Sequence, residues 1–276
     1  IETDAEKQKA LLTIVVVGGG PTGVEVSGTL AEMKKFILPK DYPELDFSKM
    51  NIYLVEAGSR LLSGMTEKSS AQAAKYLEHL GVHVLCNAQV GDYDGERVII
   101  GNDMKIAANT LVWAAGVTGT KTEGLNPEIY VRGNRIKVNS FNQVEGFADI
   151  YALGDYAYMT EKKYPNGHPQ VATPAIQQAK LLANNLKRQQ QGKPMKPYTY
   201  FNRGSMATVG RNLAVVELPF IKFYGFFAWL TWMFVHLMAI VGVKNRVLVF
   251  INWFWNYVTY DQSLRLIIKP FVKKEE

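Results

Sequence analysis

The stretch from Ile14 to Gly28, IVVVGGGPTGVEVSG, constrains this chain more than any other. An aliphatic run stops at three consecutive glycines, and helical apolar spacing resumes at once in VEVSGTLAEMKKFI. A buried parallel strand that turns through glycines into a helix is the first βα unit of a doubly wound sheet. Gly18, Gly20 and Gly23 form the one G-x-G-x-x-G of the chain. Glycines there let the backbone bend tightly and let a diphosphate approach the helix N-terminus, where free N–H groups and the helix dipole favour negative charge. Gly28 and Ala31, further along the same helix, are small enough for close helix–strand packing.

The motif alone is weak, and its context strengthens it. A second strand, NIYLVE (Asn51 to Glu56), ends on an acid. The Glu56 carboxylate there would accept hydrogen bonds from ribose hydroxyls and repel a 2′-phosphate, which favours NAD over NADP. Glu56 lies 33 residues beyond Gly23, where about 20 is usual; an insertion from Ile37 to Met50 accounts for the excess. Arg60 reads either as a cation that softens this discrimination or as a surface ion pair. Glu25 reads equally as a solvated first-turn acid favoured by the dipole or as a group facing the nicotinamide. A helix from Glu67 to Leu80 stopped by Gly81, a third strand VHVLC, short strands at RVII and MKIA, and the apolar TLVWAAGV (Thr110 to Val117) complete the set. These define an NAD(H)-binding domain over 11–117, with 1–10 as the remnant of a preceding FAD domain or of a linker.

Beyond Thr118 the pattern loosens. RIKVN is strand-like, ADIYALGDYA (Ala148 to Ala157) reads as a strand ending in Gly154-Asp155, and a helix runs from Pro174 to Gln191. Asp155 has two readings, a group on the ribityl chain of a flavin or an N-capping aspartate. Gln177 and Gln178 are adjacent and so point about 100° apart on a helix; they cannot share one solvent face, so one of them faces core or ligand.

The single cysteine, Cys86, excludes a disulfide framework and a C-x-x-C redox pair. The four histidines, His79, His83, His168 and His236, have no zinc-type spacing, so no metal is expected. His236 reads as a satisfied polar contact.

The net charge of +6 is uneven: residues 219–276 hold seven Lys/Arg (Lys222, Lys244, Arg246, Arg265, Lys269, Lys273, Lys274) against Asp261, Glu275 and Glu276, a net +4. These bases are interleaved with aromatic and aliphatic residues, which favours anionic lipid and argues against nucleic acid. From Phe223 to Val243 there is no Lys, Arg, Asp or Glu, a length that meets the span requirement of about 20 residues. Bases flank it on both sides, His236 interrupts it, and VLVFINWFWNYVTY places Asn252, Asn256 and Thr259 near one helix face. An in-plane pair of membrane helices is therefore favoured over a single span, with an internal core or homodimer contact as the remaining alternative.

Taken together, VVVGGGPTGVEVSGTLAE, LPKDYPELDFSKMNIYLVEAGSRLL, LVWAAGV, IYALGDYA, the alanines and glutamines Ala172, Ala175, Gln177 and Gln178, and the aromatic tail resemble the type II NADH dehydrogenases. These are single-subunit flavoenzymes that pass electrons from NADH to quinone. The resemblance implies an α/β fold: a Rossmann-like NAD-binding domain, a partial FAD-binding domain of the two-dinucleotide flavoprotein type over 118–215, and amphipathic membrane-binding helices over 216–276. It implies FAD and NAD as cofactors. Gly18, Gly19, Gly20, Pro21, Thr22, Gly23 and Glu56 would form the NAD site, and Ala115 with Gly116 would line the nicotinamide. Glu25 would be the acid near nicotinamide and flavin. Gly154 and Asp155, with Ala172 and Thr173, would hold the flavin, and Gln177 and Gln178 would meet quinone. The family commonly has Gln-Val where this chain has Thr173-Pro174.

The resemblance also implies a first G-x-G-x-x-G for the ADP half of FAD, so this sequence is expected to be about the last two-thirds of such a protein. Its partners would be NADH, quinone and the bilayer surface, with a homodimer through the C-terminal region left open. It would sit peripherally, as a monotopic protein, on the cytoplasmic face of the cell membrane, and would not pump protons. The alternatives are an NADH-dependent reductase with another acceptor and a catalytically silent NADH-binding fragment.

Overall fold

The computed structural model describes residues 2–101 and 104–259; the tail charges Asp261, Arg265, Lys269, Lys273, Lys274, Glu275 and Glu276 lie outside the described residues. In chain order the elements begin with α1 (Ala5–Leu11), β1 (Thr13–Val17), α2 (Pro21–Glu32), α3 (Leu38–Asp41), β2 (Asn51–Val55), α4 (Glu67–His79) and β3 (Val82–Leu85). There follow β4 (Val90–Tyr93), β5 (Arg97–Ile100), β6 (Met104–Ala107), β7 (Thr110–Trp113), β8 (Tyr130–Val131), β9 (Arg135–Lys137) and β10 (Ala157–Tyr158). The chain continues with α5 (Ala172–Gln190), β11 (Ser205–Gly210), β12 (Leu213–Glu217), β13 (Lys222–Tyr224), α6 (Phe226–Ala239) and α7 (Val243–Thr259). They form two compact units, one from the residues up to Ala115 together with those from Ser205 onward, the other from Gly116–Gly204.

The first unit is built on a parallel sheet of order β3-β2-β1-β7, the expected Rossmann-like α/β core. β1 is central, with Val15 in register with Tyr53 on one side and with Leu111 on the other. Its side chains alternate between two cores. Val16 joins Val24 of α2, Leu54 and Leu77 of α4; Val15 and Val17 join Val98 and Ile100 of the antiparallel sheet β4-β5-β6. Because helices cover one face and this small sheet the other, β1 has no polar side, and from Ile14 to Val17 its run is unbroken by polar residues. Leu54 and Leu77 are fully buried, the setting in which truncation to alanine typically removes about 2–5 kcal/mol.

The long path from α2 to β2 is ordered. α2 passes directly into a π-helical turn at Met33–Ile37 and then α3, and Asp46 caps a 3-10 turn at Phe47–Lys49. Phe47 and Met50 drop into the core, so the extra residues behind Glu56 pack as part of the domain.

A third sheet, β11-β12-β13, is antiparallel and lies against α2. Its Ala207, Val209 and Val215 belong to the same core as Val16 and Leu54. The boundary expected between 215 and 216 falls inside β12, because burial of alternate residues on this hairpin ties it to the nucleotide-binding sheet. Two features seat it. A Cβ on Gly28 would lie 1.6 Å from the Val209 carbonyl oxygen. Glu217 accepts hydrogen bonds from the Thr66 N–H at 3.0 Å and from the Thr66 and Ser69 hydroxyls, at the N-terminus of α4. Burial pushes this carboxyl up, but the hydrogen bonds from Ser69 and Thr66 outweigh it and hold Glu217 below the ordinary carboxylate range.

The apolar run from Phe223 to Val243 is divided. Its first residues close β13, Gly225 turns the chain at φ 80°, α6 follows, and Gly242 at φ 87° leads into α7. Among the described residues no helix is long and apolar enough to cross a membrane, and the run Phe223–Val243 is not one continuous helix. The two helices meet through Trp229 against Tyr257 and Trp232 against Trp253, with ring centroids 5.4 and 6.3 Å apart.

In the second unit, β8-β9-β10 and α5 enclose a core that includes Ile136, Val144, Ala152, Tyr198 and Tyr200. ADIYALGDYA does not form the expected strand. Tyr151 makes an isolated bridge, Gly154–Tyr156 is a 3-10 turn, and only Ala157–Tyr158 enters the sheet. The polar groups of Ala152 are taken by Asn142, whose backbone oxygen and side-chain amide bond the Ala152 N–H and C=O, and Gly154 then turns at φ 62°.

Two stability tests follow from these contacts. Gly28→Ala should lower the urea midpoint by the equivalent of about 3 kcal/mol or more, because backbone cannot yield as a side chain does; an unchanged midpoint would mean that α2 and β11 do not meet as described. Glu217→Gln should cost about 1 kcal/mol near neutral pH. A carboxyl held below its unfolded value contributes stability that is present above that value and lost as pH falls through the folded one. The wild-type and variant midpoints should therefore converge in acid, and a gap that persists there would remove Glu217 from this role.

Candidate dinucleotide site

The glycines at the β1–α2 turn do different jobs. The Gly18 N–H donates to the Val55 carbonyl at 2.8 Å, and Gly18 sits at φ 106°, where a Cβ would be 2.6 Å from the Ala114 oxygen. A Cβ on Gly19 would meet the Leu61 side chain at 2.6 Å, and one on Gly23 would fall 1.8 Å from the Gly18 oxygen. Gly20 is different: a Cβ there would have nothing within 4 Å, and its φ of −70° is open to any residue. Contact with backbone requires glycine at 18 and 23, side chains crowd position 19, and packing does not require glycine at 20. Gly20 is the N-cap of α2, with no side-chain cap and Pro21 following, and Pro21 and Thr22 are exposed. Pro21 has no N–H, so Thr22 and Gly23 carry the first N–H groups of α2, and no side chain caps them.

Glu56 borders this turn. Its Oε2 accepts the Gly19 N–H at 2.5 Å and its Oε1 accepts the Gly58 N–H at 2.6 Å, while the Leu62 N–H donates to the Gly19 oxygen at 2.7 Å. The carboxylate is held in place by backbone, and each oxygen keeps further acceptor capacity. The Arg60 guanidinium donates to the Met65 and Ser63 carbonyls at 2.7 and 2.9 Å and so closes its own loop. Ala115 backs onto Gly18, its Cα 2.7 Å from where a Gly18 Cβ would stand. Gly116 follows at φ 110° as the first residue of the second unit.

Glu25 is not a solvated acid. It is half-buried, accepts the Thr208 N–H at 3.3 Å, and lines a cavity of about 250 Å³ with Thr29, Glu32, Trp229, Trp232 and Trp253. Burial pushes its carboxyl up, and the Thr208 N–H, His236 and the Trp232 indole only partly offset this. Glu32 at the same cavity is raised for the same reason, against the pull of Arg211. His236 is engaged, with Nδ1 at 2.7 Å from the Trp232 oxygen and its ring stacked on Trp232 at 4.1 Å. The aromatic density of the tail was the only sequence signal for this cavity, since Thr208 and α2 reach it from distant parts of the chain.

In the second unit, Asp155 is exposed on its 3-10 turn, and the two glutamines diverge as their spacing requires. Gln178 is buried and accepts the Gly154 N–H, whereas half-buried Gln177 bonds the Phe201 backbone, donating to its oxygen at 2.8 Å and accepting from its N–H at 3.1 Å. Ala172 and Thr173 open α5, with Pro174 buried behind them. Sequence reading missed Arg135, a buried cation that donates from Nη2 to the carbonyls of Ala157 at 2.6 Å and His168 at 3.1 Å. A lone arginine before a short strand carries no signal for that.

A glycine turn on a central parallel strand, backed by a backbone-held acid, defines a dinucleotide-binding protein, and the chain belongs to the pyridine nucleotide-disulphide oxidoreductase family, whose pattern matches residues 2–179. Residues 202–259 match the NDH2 C-terminal domain, and the resemblance to type II NADH dehydrogenases holds. The type II NADH:quinone oxidoreductase Ndh of Mycobacterium tuberculosis is 33% identical over 263 residues, covering 91% of this chain and 55% of that protein. The mitochondrial internal alternative NAD(P)H-ubiquinone oxidoreductase A1 of Arabidopsis thaliana is 30% identical over 278 residues, covering 92% and 52%. The chain spans about half the length of these curated relatives. The solved structure of NDH2 from Plasmodium falciparum in complex with NADH superposes with a TM-score of 0.85 at 21% identity, covering 96% of this chain and 70% of that one, which establishes the shared fold.

Proposed function

We propose that this chain binds NADH at the β1–α2 turn and that the whole protein passes hydride to FAD and electrons on to a membrane quinone, without pumping protons. Gly20 carries the proposal: it lacks a side chain where the fold has room for one. A diphosphate lying on the uncapped end of α2, over Gly18 to Gly23 with Pro21 and Thr22, is the ligand that such a turn suits. Glu56, already oriented by Gly19 and Gly58, would accept from the ribose hydroxyls and disfavour a 2′-phosphate. Ala115 and Gly116 would flank the nicotinamide. In the second unit, Gly154 and Asp155 would hold the flavin ribityl chain, with Ala172 and Thr173 at its ring and Gln177 toward quinone. FAD, when bound, supplies the ring that takes hydride from NADH and gives electrons to quinone. These side chains position rather than attack, since hydride transfer needs aligned rings more than a protein acid.

The cavity beside Glu25 suits an apolar ring-bearing substrate, and Glu25 binds its proton more tightly than a solvated carboxyl does. The outer faces of α6 and α7 leave large residues in solvent, Phe227 72% and Phe254 60% exposed among them. Patches of this kind mark lipid or partner contacts. We read this one as the lipid-facing surface of a peripheral, monotopic protein on the cytoplasmic face of the cell membrane, with a homodimer as the competing occupant.

Gly20→Ala should lower the urea midpoint by the equivalent of no more than about 1 kcal/mol, the cost of alanine at an N-cap, and weaken NADH binding at least tenfold, about 1.4 kcal/mol, by titration calorimetry; undiminished affinity would take the diphosphate away from this turn. With the full-length protein on liposomes, NADH should bleach the flavin absorbance and an added quinone should restore it. Bleaching without restoration by quinone would point to another acceptor, and a protein that dimerises but does not float with liposomes would assign the apolar face to a second copy.

A further inference from the structure

We infer that Gln178 is a positioning residue that aims Asp155 and does not itself meet quinone. The inference rests on the reading that Asp155 holds the flavin. Gln178 is 1% exposed, so its amide reaches no substrate without opening the core of its unit. Its Oε1 accepts the Gly154 N–H at 2.7 Å. Ala175, one turn earlier on the same face of α5, stands 2.9 Å from where a Gly154 Cβ would be. One face of α5 therefore grips Gly154 by a hydrogen bond and by contact.

Gly154 is also the place where the chain most needs gripping. It lies at φ 62°, in the left-handed region, where glycine is at home and has the most freedom to leave. The rest of the turn is tied as well. The Gln170 side chain donates to the Asp155 oxygen at 3.1 Å, and Arg135 holds the Ala157 carbonyl at 2.6 Å. Backbone is thus fixed before, at and after Asp155, while the Asp155 side chain itself is exposed. A carboxylate that must meet a hydroxyl in one direction benefits from such a mount, because the order is already present before the ligand arrives. Without the Gln178 acceptor the Gly154 N–H loses its partner inside the protein, and the turn loses its anchor on the side before Asp155.

The test uses the full-length flavoprotein with Gln178→Met, which removes the acceptor, and Gln178→Glu, which keeps one at the same reach. Asp155→Ala and Gln177→Met serve as comparators. The readouts are the FAD dissociation constant from flavin fluorescence, the visible flavin spectrum, the flavin midpoint potential, and KM for quinone at saturating NADH. Gln178→Met should weaken FAD at least tenfold and shift the spectrum and potential, with quinone KM unchanged. Gln178→Glu should restore most of the FAD affinity, and Gln177→Met should raise quinone KM with the spectrum of the wild type. The inference is overturned if Gln178→Met keeps wild-type FAD affinity and spectrum, whether or not quinone KM rises. Should the methionine variant fail to fold, Gln178→Asn decides, because its shorter side chain cannot reach the Gly154 N–H: weakened FAD affinity with unchanged quinone KM supports the inference, and unchanged FAD affinity overturns it. Should Asp155→Ala leave FAD affinity unchanged, the flavin reading of Asp155 fails and the inference with it; should Asp155→Ala weaken FAD while Gln178→Met does not, only the inference fails.

Discussion

The first unit depends on how closely other backbone approaches α2. At Gly23 the helix touches the Gly18 carbonyl, and at Gly28 it touches the Val209 carbonyl, at separations no Cβ tolerates. One helix is thereby pressed against the turn that opens it and against the sheet β11-β12-β13. This explains how a hairpin nearly two hundred residues downstream shares a core with the glycine turn. Dispersion and burial then act on what those two contacts allow, with Val16, Val24, Leu54 and Val209 in one cluster.

Carboxylates mark the functional and structural parts of this unit by their surroundings. Glu217 sits among donors at the start of α4 and is held ionised, a structural use of charge. Glu25 and Glu32 line an aromatic cavity and are pushed the other way by burial. The opposition is one of solvent and partners, not of residue type: the same side chain is a clamp where hydroxyls and N–H groups converge on it and holds its proton more tightly where burial beside rings desolvates it. Glu56 is a third case, tied to backbone at both oxygens, so that its direction is set before any ligand binds.

Much of the site was legible because it is local. The G-x-G-x-x-G, the strand before it and the helix after it are read from about fifteen consecutive residues, and the acid closing β2 is found by period and punctuation. The divergence of Gln177 and Gln178 was likewise legible, since helical geometry alone separates neighbours by about 100°. Which of the two turns inward was not, because that depends on where Gly154 lies. ADIYALGDYA misled for a related reason: its apolar run has strand composition, but Asn142 takes the ladder groups of Ala152 and glycine breaks the extension. Arg60 was read by charge, and its partners are carbonyls of its own loop.

By itself the amino-acid sequence determined the βα turn, the parallel sheet and the identity of the residues that border the turn, because apolar periodicity and glycine placement act over one or two elements. Only the tertiary structure decided that residues 205–259 fold as a three-stranded sheet and two short helices, that this sheet packs on α2, and that Glu25 lines a cavity with tryptophans of α6 and α7. Those outcomes hang on contacts between residues some two hundred positions apart. The pattern along one segment has no means of recording what will be pressed against it.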